Sequence, residues 1–433
     1  MDWSPTLDTL ADILAKMGGE GWLVGGCLRD ALLGLRAADV DVVVTGNPLP
    51  AAERLAWRLS LALARLGHGT IRLIPRDAPA MRLDLSPLAG EDIAGDLARR
   101  DFTVNAMALP LSSHAQWSAA GGNQRADMPG LLDPFGGRDD LLAHRLVAVG
   151  PDVFRHDPGR IIRAARLRTR FGLLPDATTR EQARASVPSL ATLSADRLRE
   201  EMALLLALPA ATDGVALLDA LGALVVLYPG LTGDAAPHAL ATLRCLDTLM
   251  GVAQAATSYP ALRAWGASDS RRVGLRLAAL RHARDTHNTQ SGVDDHMTLW
   301  QIARATLASE NTQERLYATR LLFAHAGKEE AAAADALVVA AACALASDGQ
   351  AESAARAARA DALIDIYLRD RSALIPPLLL GGSDLIAALG LTPGPAIGRL
   401  LLMVRRAQLL GEIASRDEAL ALARRLHESG SGE

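Results

Sequence analysis

At 433 residues the chain is too long for one small domain and long enough for about two to four modules of ordinary size. Half of its residues are hydrophobic but only 3% are aromatic, so its core is built from Ala, Leu and Val, which favours helices over β-sandwiches. A formal net charge of -4 excludes a uniformly basic nucleic-acid binder and confines any RNA contact to a local basic patch.

Strand-like runs come early. Residues 22–24, 40–44, 70–74 and 81–85 are short, apolar or β-branched, and bounded by Gly or Pro, which predicts an α/β first third. A polar, glycine-rich stretch over residues 112–130 follows, and from about Asp152 the spacing of Ala, Leu and Arg predicts helices. Loops are expected at Pro229-Gly230, over residues 285–295 and at Ser347-Asp348-Gly349, whereas residues 331–346 carry enough apolar bulk to be a packed helix.

Cys27, Cys245 and Cys343 lie far apart without C-x-x-C spacing, so neither a disulfide framework nor a zinc knuckle is indicated, and a reducing compartment fits. The first residues lack the basic and apolar regions of a signal peptide, and the apolar run 202–208 is too brief to span a bilayer. A cytoplasmic protein without a membrane partner is expected.

Within the first third, Gly25-Gly26 leads from a strand into a helix. Two glycines there let backbone N–H groups approach a triphosphate at the helix N-terminus, and Arg29 could add a charged fork, although an ordinary strand-to-helix turn looks the same. Asp39-Val40-Asp41 then opens a strand whose alternation points both carboxylates to one face. Side by side, two acids repel unless a cation joins them, and Mg²⁺ favours a few carboxylates completed by substrate phosphate oxygens. A plain polar strand end is the alternative. Asp84, on a further predicted strand, could supply a third carboxylate, or could cap the strand or sit solvated.

In this order, G-G-x-x-R-D followed by D-x-D resembles the head of class II tRNA nucleotidyltransferases and bacterial poly(A) polymerases, within the DNA polymerase beta superfamily. Residues 99–106, Arg-Arg-Asp-Phe-Thr-Val-Asn-Ala, resemble that family's ribose- and triphosphate-binding element and bring in Arg100, Asp101 and Asn105. Residues 133–141 are similar to its hinge segment. His156-Asp157-Pro158-Gly159-Arg160 matches the family's nucleotide-selecting E-D-x-x-R element, with His156 where Glu is usual. An Asp and Arg at i and i+3 on a helix start would share a face and offer acceptor and donor edges to CTP or ATP, whereas UTP and GTP reverse that polarity; an intrahelical salt bridge fits the same spacing. Arg163, Arg166 and Arg170 follow on one helix face. Arg163 would join the nucleotide site, and Arg166 and Arg170 could track RNA phosphates, unless the stripe is a solvated face paired with acids. Residues 193–202 resemble the family's neck element; there Ser194 is a plausible N-cap and Arg197 can pair with Glu201.

The resemblance implies a polymerase-beta-like mixed-sheet head over residues 1–147, then an all-α neck (148–215), body (216–370) and tRNA-binding tail (371–433). It implies an enzyme that extends tRNA 3′ ends from CTP and ATP with Mg²⁺ held by Asp39 and Asp41, and it implies no DNA partner. The stretch between Asp84 and Arg99 is shorter than in relatives that add the terminal A, which leans towards the CC-adding subtype. A poly(A) polymerase and a catalytically silent RNA-binding protein on the same scaffold are the alternatives. Some relatives carry an HD phosphohydrolase module, but Ala283 stands where its acid would be. No phosphohydrolase activity is expected, and His282 reads as an ordinary helix residue.

Overall fold

The computed structural model describes residues 3–114, 128–250, 259–287, 295–326, 330–347, 350–374 and 376–428. Most of the glycine-rich stretch and parts of two expected loops, at 115–127, 288–294 and 348–349, lie outside the described residues. The chain divides into two compact units, Met1–Leu205 with Asp213–Leu227, and Leu206–Thr212 with Tyr228–Glu433.

The first unit is organised on a six-stranded sheet of order β3-β4-β5-β2-β1-β6. Its strands are β1 (Gly21–Val24), β2 (Asp39–Val44), β3 (Ala62–Arg65), β4 (Ile71–Ile74), β5 (Arg82–Pro87) and β6 (Ala108–Pro110). Four were expected within a residue or two. Strands β3 and β6 were not, because Ala-Leu-Ala-Arg and Ala-Leu-Pro carry no β-branched residue. The sheet is mixed: β2 runs parallel to β5 and antiparallel to β1, with Asp41 paired in register to Asp84 on one side and to Val24 on the other. Along β2, Asp39 and Asp41 are exposed while Val40 and Val42 are buried, as the period of two demands. Val43 closes the acid-bearing face further along by packing with Val24, Leu97, Ala106 and Ala108.

Helices α1 (Ser4–Lys16), α2 (Gly26–Leu32), α3 (Leu49–Leu59), α4 (Ile93–Ala98) and α5 (Gly137–Leu142) belong to this sheet layer. Beyond it come α6 (Val153–His156), α7 (Arg160–Phe171), α8 (Ala177–Ser186), α9 (Ala195–Leu206), α10 (Thr212–Ala220) and α11 (Leu224–Leu227). Helix α7 buries Ile161, Ile162, Ala164, Ala165 and Leu167, and its arginines occupy the remaining faces.

The described part of the second unit is helical: α12 (Ala235–Leu249), α13 (Pro260–Trp265), α14 (Asp269–His287), α15 (Asp295–Ala308), α16 (Thr312–Ala326), α17 (Glu330–Ser347), α18 (Gln350–Arg369), α19 (Arg371–Leu374), α20 (Gly382–Leu389), α21 (Pro395–Leu410) and α22 (Arg416–Glu428). Alanine lets these helices approach closely; Ala333, Ala334, Ala341 and Ala342 of α17 are all fully covered. Arg276 of α14 is 0% exposed. Its guanidinium donates to Asp247 at 2.5 Å, to the Leu208 carbonyl at 2.7 Å and to the Leu206 carbonyl. A separate apolar cluster of Leu385, Leu400, Val404, Ala419 and Ala423 holds the last three helices together. The α/β head followed by helices is therefore the observed fold.

Candidate active site

A polar cleft of about 300 Å³ opens where β1 hands over to α2. Its floor is the glycine pair. Gly25 takes φ +76°, and a Cβ there would stand 3.0 Å from Arg100 NH1 and 3.6 Å from an Asp41 carboxylate oxygen. Only glycine suits both the backbone conformation and that close approach. Around this floor stand Asp41, Asp96, Arg99, Arg100, Asp101, Asn105, Asp157, Arg160, Arg163, Arg197 and Glu201.

The acids of β2 face the same way. Asp41 is exposed to the cleft, yet the packed walls thin its hydration, and this raises its carboxyl above the ordinary value; Asp84 and Asp39 add to the rise while Arg100 and Arg163 oppose it. Such a pair of oxygen donors, one of them short of compensating charge, fits a hard divalent cation. Asp84 is committed differently. Arg72 grips it through two bonds, Nε to Oδ1 at 2.8 Å and NH2 to Oδ2 at 2.7 Å, so it is neither a solvated acid nor a strand cap.

Beneath the cleft runs a buried polar layer. Arg29, expected to reach the phosphates, is buried against the glycine floor and does not line the cleft: it is 6% exposed, donates to Asn105 Oδ1 at 2.6 Å and to Asp30 Oδ1 at 2.5 Å, and stacks over Phe171 at 4.3 Å, while a Cβ on Gly26 would stand 3.2 Å from its guanidinium. The physical reason is the neighbouring acid, which neutralises an arginine that burial would otherwise penalise. Asn105 in turn donates to Asp101 at 3.0 Å. Burial alone would raise the Asp101 carboxyl, but Arg163 at 2.8 Å, the Asn105 amide and the Phe102 N–H together hold it below the usual range. Arg100 is aimed by Asp96, which accepts from its Nε and NH2 at 3.2 and 3.1 Å.

The arginine stripe of α7 is a seam. Arg163 joins Asp101, Arg166 joins Glu201 at 2.8 Å, and Arg170 joins Asp30 at 3.2 Å, so the two residues expected to track RNA phosphates are held by acids of the same unit. Arg197 does not pair with Glu201 as the i+4 spacing suggested, since its NH2 donates to Asp157 at 2.6 Å instead. Nor do Asp157 and Arg160 share a helix face. Asp157 lies ahead of α7 in an extended conformation, while Arg160 begins the helix and donates to the carbonyls of Arg99 and Arg100 at 3.0 and 3.3 Å. Their side chains are still close, 4.0 Å from Arg160 Nε to Asp157 Oδ2, and both line the cleft.

The segment 133–141 is built for contact with the element at 99–106. Asp133 accepts from the N–H groups of Gly137 and Arg138 at 2.7 and 2.9 Å, and a Cβ on Gly137 would collide with the Thr103 carbonyl at 2.0 Å. Thr103 Oγ1 donates to Asp140 at 2.6 Å. Of the expected site residues, Gly25, Gly26, Asp41, Arg100, Asp101, Asn105, Asp157, Arg160 and Arg163 line one cleft; Arg29, Asp39, Asp84, Arg166 and Arg170 do not. Asp96 and Arg99 were not anticipated as lining residues, though Arg99 lies inside the quoted motif.

Comparison with known proteins bears on the family and the fold. Residues 21–147 match the poly A polymerase head domain family, and residues 172–234 match the family described as a probable RNA and SrmB-binding site of polymerase A. The chain is 30% identical to a CC-adding tRNA nucleotidyltransferase of Geobacter sulfurreducens, over 96% of this chain and 94% of the relative. It is also 30% identical to an A-adding tRNA nucleotidyltransferase of Deinococcus radiodurans, over 95% of this chain and 96% of the relative. Its fold is similar to that of a Thermotoga maritima CCA-adding enzyme complexed with tRNA, with a TM-score of 0.63 at 22% identity, covering 98% of both chains.

Proposed function

We infer the reaction from the premise that the chain belongs to the tRNA nucleotidyltransferase family and is a nucleotidyltransferase. We propose that it transfers CMP from CTP to the 3′ end of tRNA without a nucleic-acid template, and stops after two cytidines. The observation that carries the reading is the placement of Asp39 and Asp41 on one exposed strand face beside the left-handed Gly25 turn.

In this reading the backbone at Gly25 and Gly26 and the guanidinium of Arg100 receive the triphosphate, with Asp96 fixing the angle of Arg100. Asp39 and Asp41 would hold Mg²⁺, which would supply polarisation of the α-phosphate and a lowered pKa of the attacking hydroxyl. The RNA 3′-oxygen then bonds to the α-phosphorus, its proton passes to solvent, and the bond to the departing pyrophosphate breaks. Asp84, with both oxygens engaged by Arg72, acts as a fixed negative neighbour of Asp41 and not as the base. Asp157 and Arg160 present acceptor and donor to the base, and Arg197 sets the orientation of Asp157. His156, standing where Glu is usual, leaves that pair in place.

The lean to two cytidines rests on the segment after β5. Only a short turn separates Pro87 from α4, whose N-terminus is tied by Asp92 accepting from Gly95 N–H at 2.8 Å and by Asp96 accepting from Ala89 N–H at 3.1 Å. A segment so pinned has little freedom to reshape a base pocket from CTP to ATP. Relatives named for either activity share the same 30% identity with the chain, so identity alone does not choose. Purified protein is to be incubated with tRNA lacking its 3′ end and each nucleoside triphosphate separately, and the products sized. Two added cytidines support the reading. A third residue added as AMP removes the subtype, repeated AMP addition to any RNA indicates a poly(A) polymerase, and extension by a D39N/D41N variant at the parental rate removes the site.

A further inference from the structure

The helical unit contains a cluster that plays no part in the chemistry above. His238 of α12, His282 of α14 and Cys343 of α17 each bring a potential ligand atom to within 4.8 Å of one another. Nothing in their sequence spacing foretells this, because the three lie on three separate helices. His282 and Cys343 are each 7% exposed. The His282 ring stacks on Trp300 at 3.9 Å and meets the edge of the His238 ring at 6.1 Å, so packing fixes the imidazole planes. Thr242, one turn along α12 from His238, sets its Oγ1 3.7 Å from Cys343 Sγ.

The chemistry of the set is selective. Two imidazoles and a thiol, with no carboxylate among them, suit a borderline-soft ion and not the hard Mg²⁺ of the head. We propose that His238, His282 and Cys343 form a zinc-binding site that braces α12, α14 and α17. Binding forms two N–Zn bonds and one S–Zn bond, and the Cys343 S–H bond breaks with its proton released to solvent. Three protein ligands leave the fourth position of a tetrahedral zinc shell to a water. Where sequence reading took His282 for an ordinary helix residue and the cysteines for isolated thiols, tertiary packing makes them neighbours.

The test uses the full chain, stripped with a chelator and titrated with Co²⁺ alone. One equivalent should bind with a thiolate-to-cobalt charge-transfer band, Zn²⁺ should displace it, and the metal should raise the melting temperature. Cys343→Ser should abolish the band, His282→Ala and the less buried His238→Gln should each weaken binding by at least about tenfold, and Cys245→Ser and a D39N/D41N variant should leave it intact. Circular dichroism identifies any variant that fails to fold, and His238→Gln then carries the test. Absence of the band in the parent chain, its persistence in Cys343→Ser, or its loss in Cys245→Ser alone overturns the site.

Discussion

Two sets of charges, one in each compact unit, are put to different uses. In the first, acids and arginines gather around an open cleft, and Asp41, Arg100, Arg197 and Glu201 all border space that a ligand can enter. In the second, Arg276 is sealed completely and spent on Asp247 and two carbonyls, so its charge contributes to the fold alone. The lesson is that a paired charge facing a cleft is available for exchange with substrate, whereas one sealed in a helical core is a commitment of the structure.

The strongest way to break this comparison is Asp41→Asn. Nucleotide transfer should fall on the order of 10³-fold, the scale of losing a principal electrostatic group, while the melting temperature holds or rises. Equal loss of stability and activity would place Asp41 in the fold instead. Its counterpart is Arg276→Ala, expected to destabilise by about 3 kcal/mol because it strands Asp247. Paired replacement by Arg276→Met and Asp247→Leu should recover much of that in denaturant titrations.

Sharper discrimination comes from Arg197→Ala. If Arg197 only aims Asp157, selection of CTP over UTP should relax by about tenfold with little change in stability. An unchanged selectivity ratio would leave Arg197 a structural partner.

The smallest effect concerns Asp101. Its folded carboxyl is held below the unfolded value, so the stabilisation it gives is complete above the ordinary carboxylate range and fades as pH falls through the depressed folded value. Asp101→Asn should therefore cost about 1–2 kcal/mol near neutrality and progressively less on acidification, read from melting curves at several pH values. A cost independent of pH would show that hydrogen bonding by the side chain, and not its charge, is what counts.

Much of this molecule was written in local order. Gly25-Gly26, Asp39-Val40-Asp41 and the element at 99–106 carry their meaning within a few residues, since strand alternation and strand-to-helix turns follow from backbone geometry that the sequence itself imposes. The α/β head and the helices behind it were legible for the same reason. Tertiary structure alone decided who pairs with whom. Arg197 chose Asp157 over Glu201, Arg29 was drawn inward to Asp30 and Asn105, and His238, His282 and Cys343 met across three helices. Periodicity states which face a side chain leaves by; a charge or a donor atom is then satisfied by whatever partner packing brings within reach, and that partner can lie anywhere along the chain.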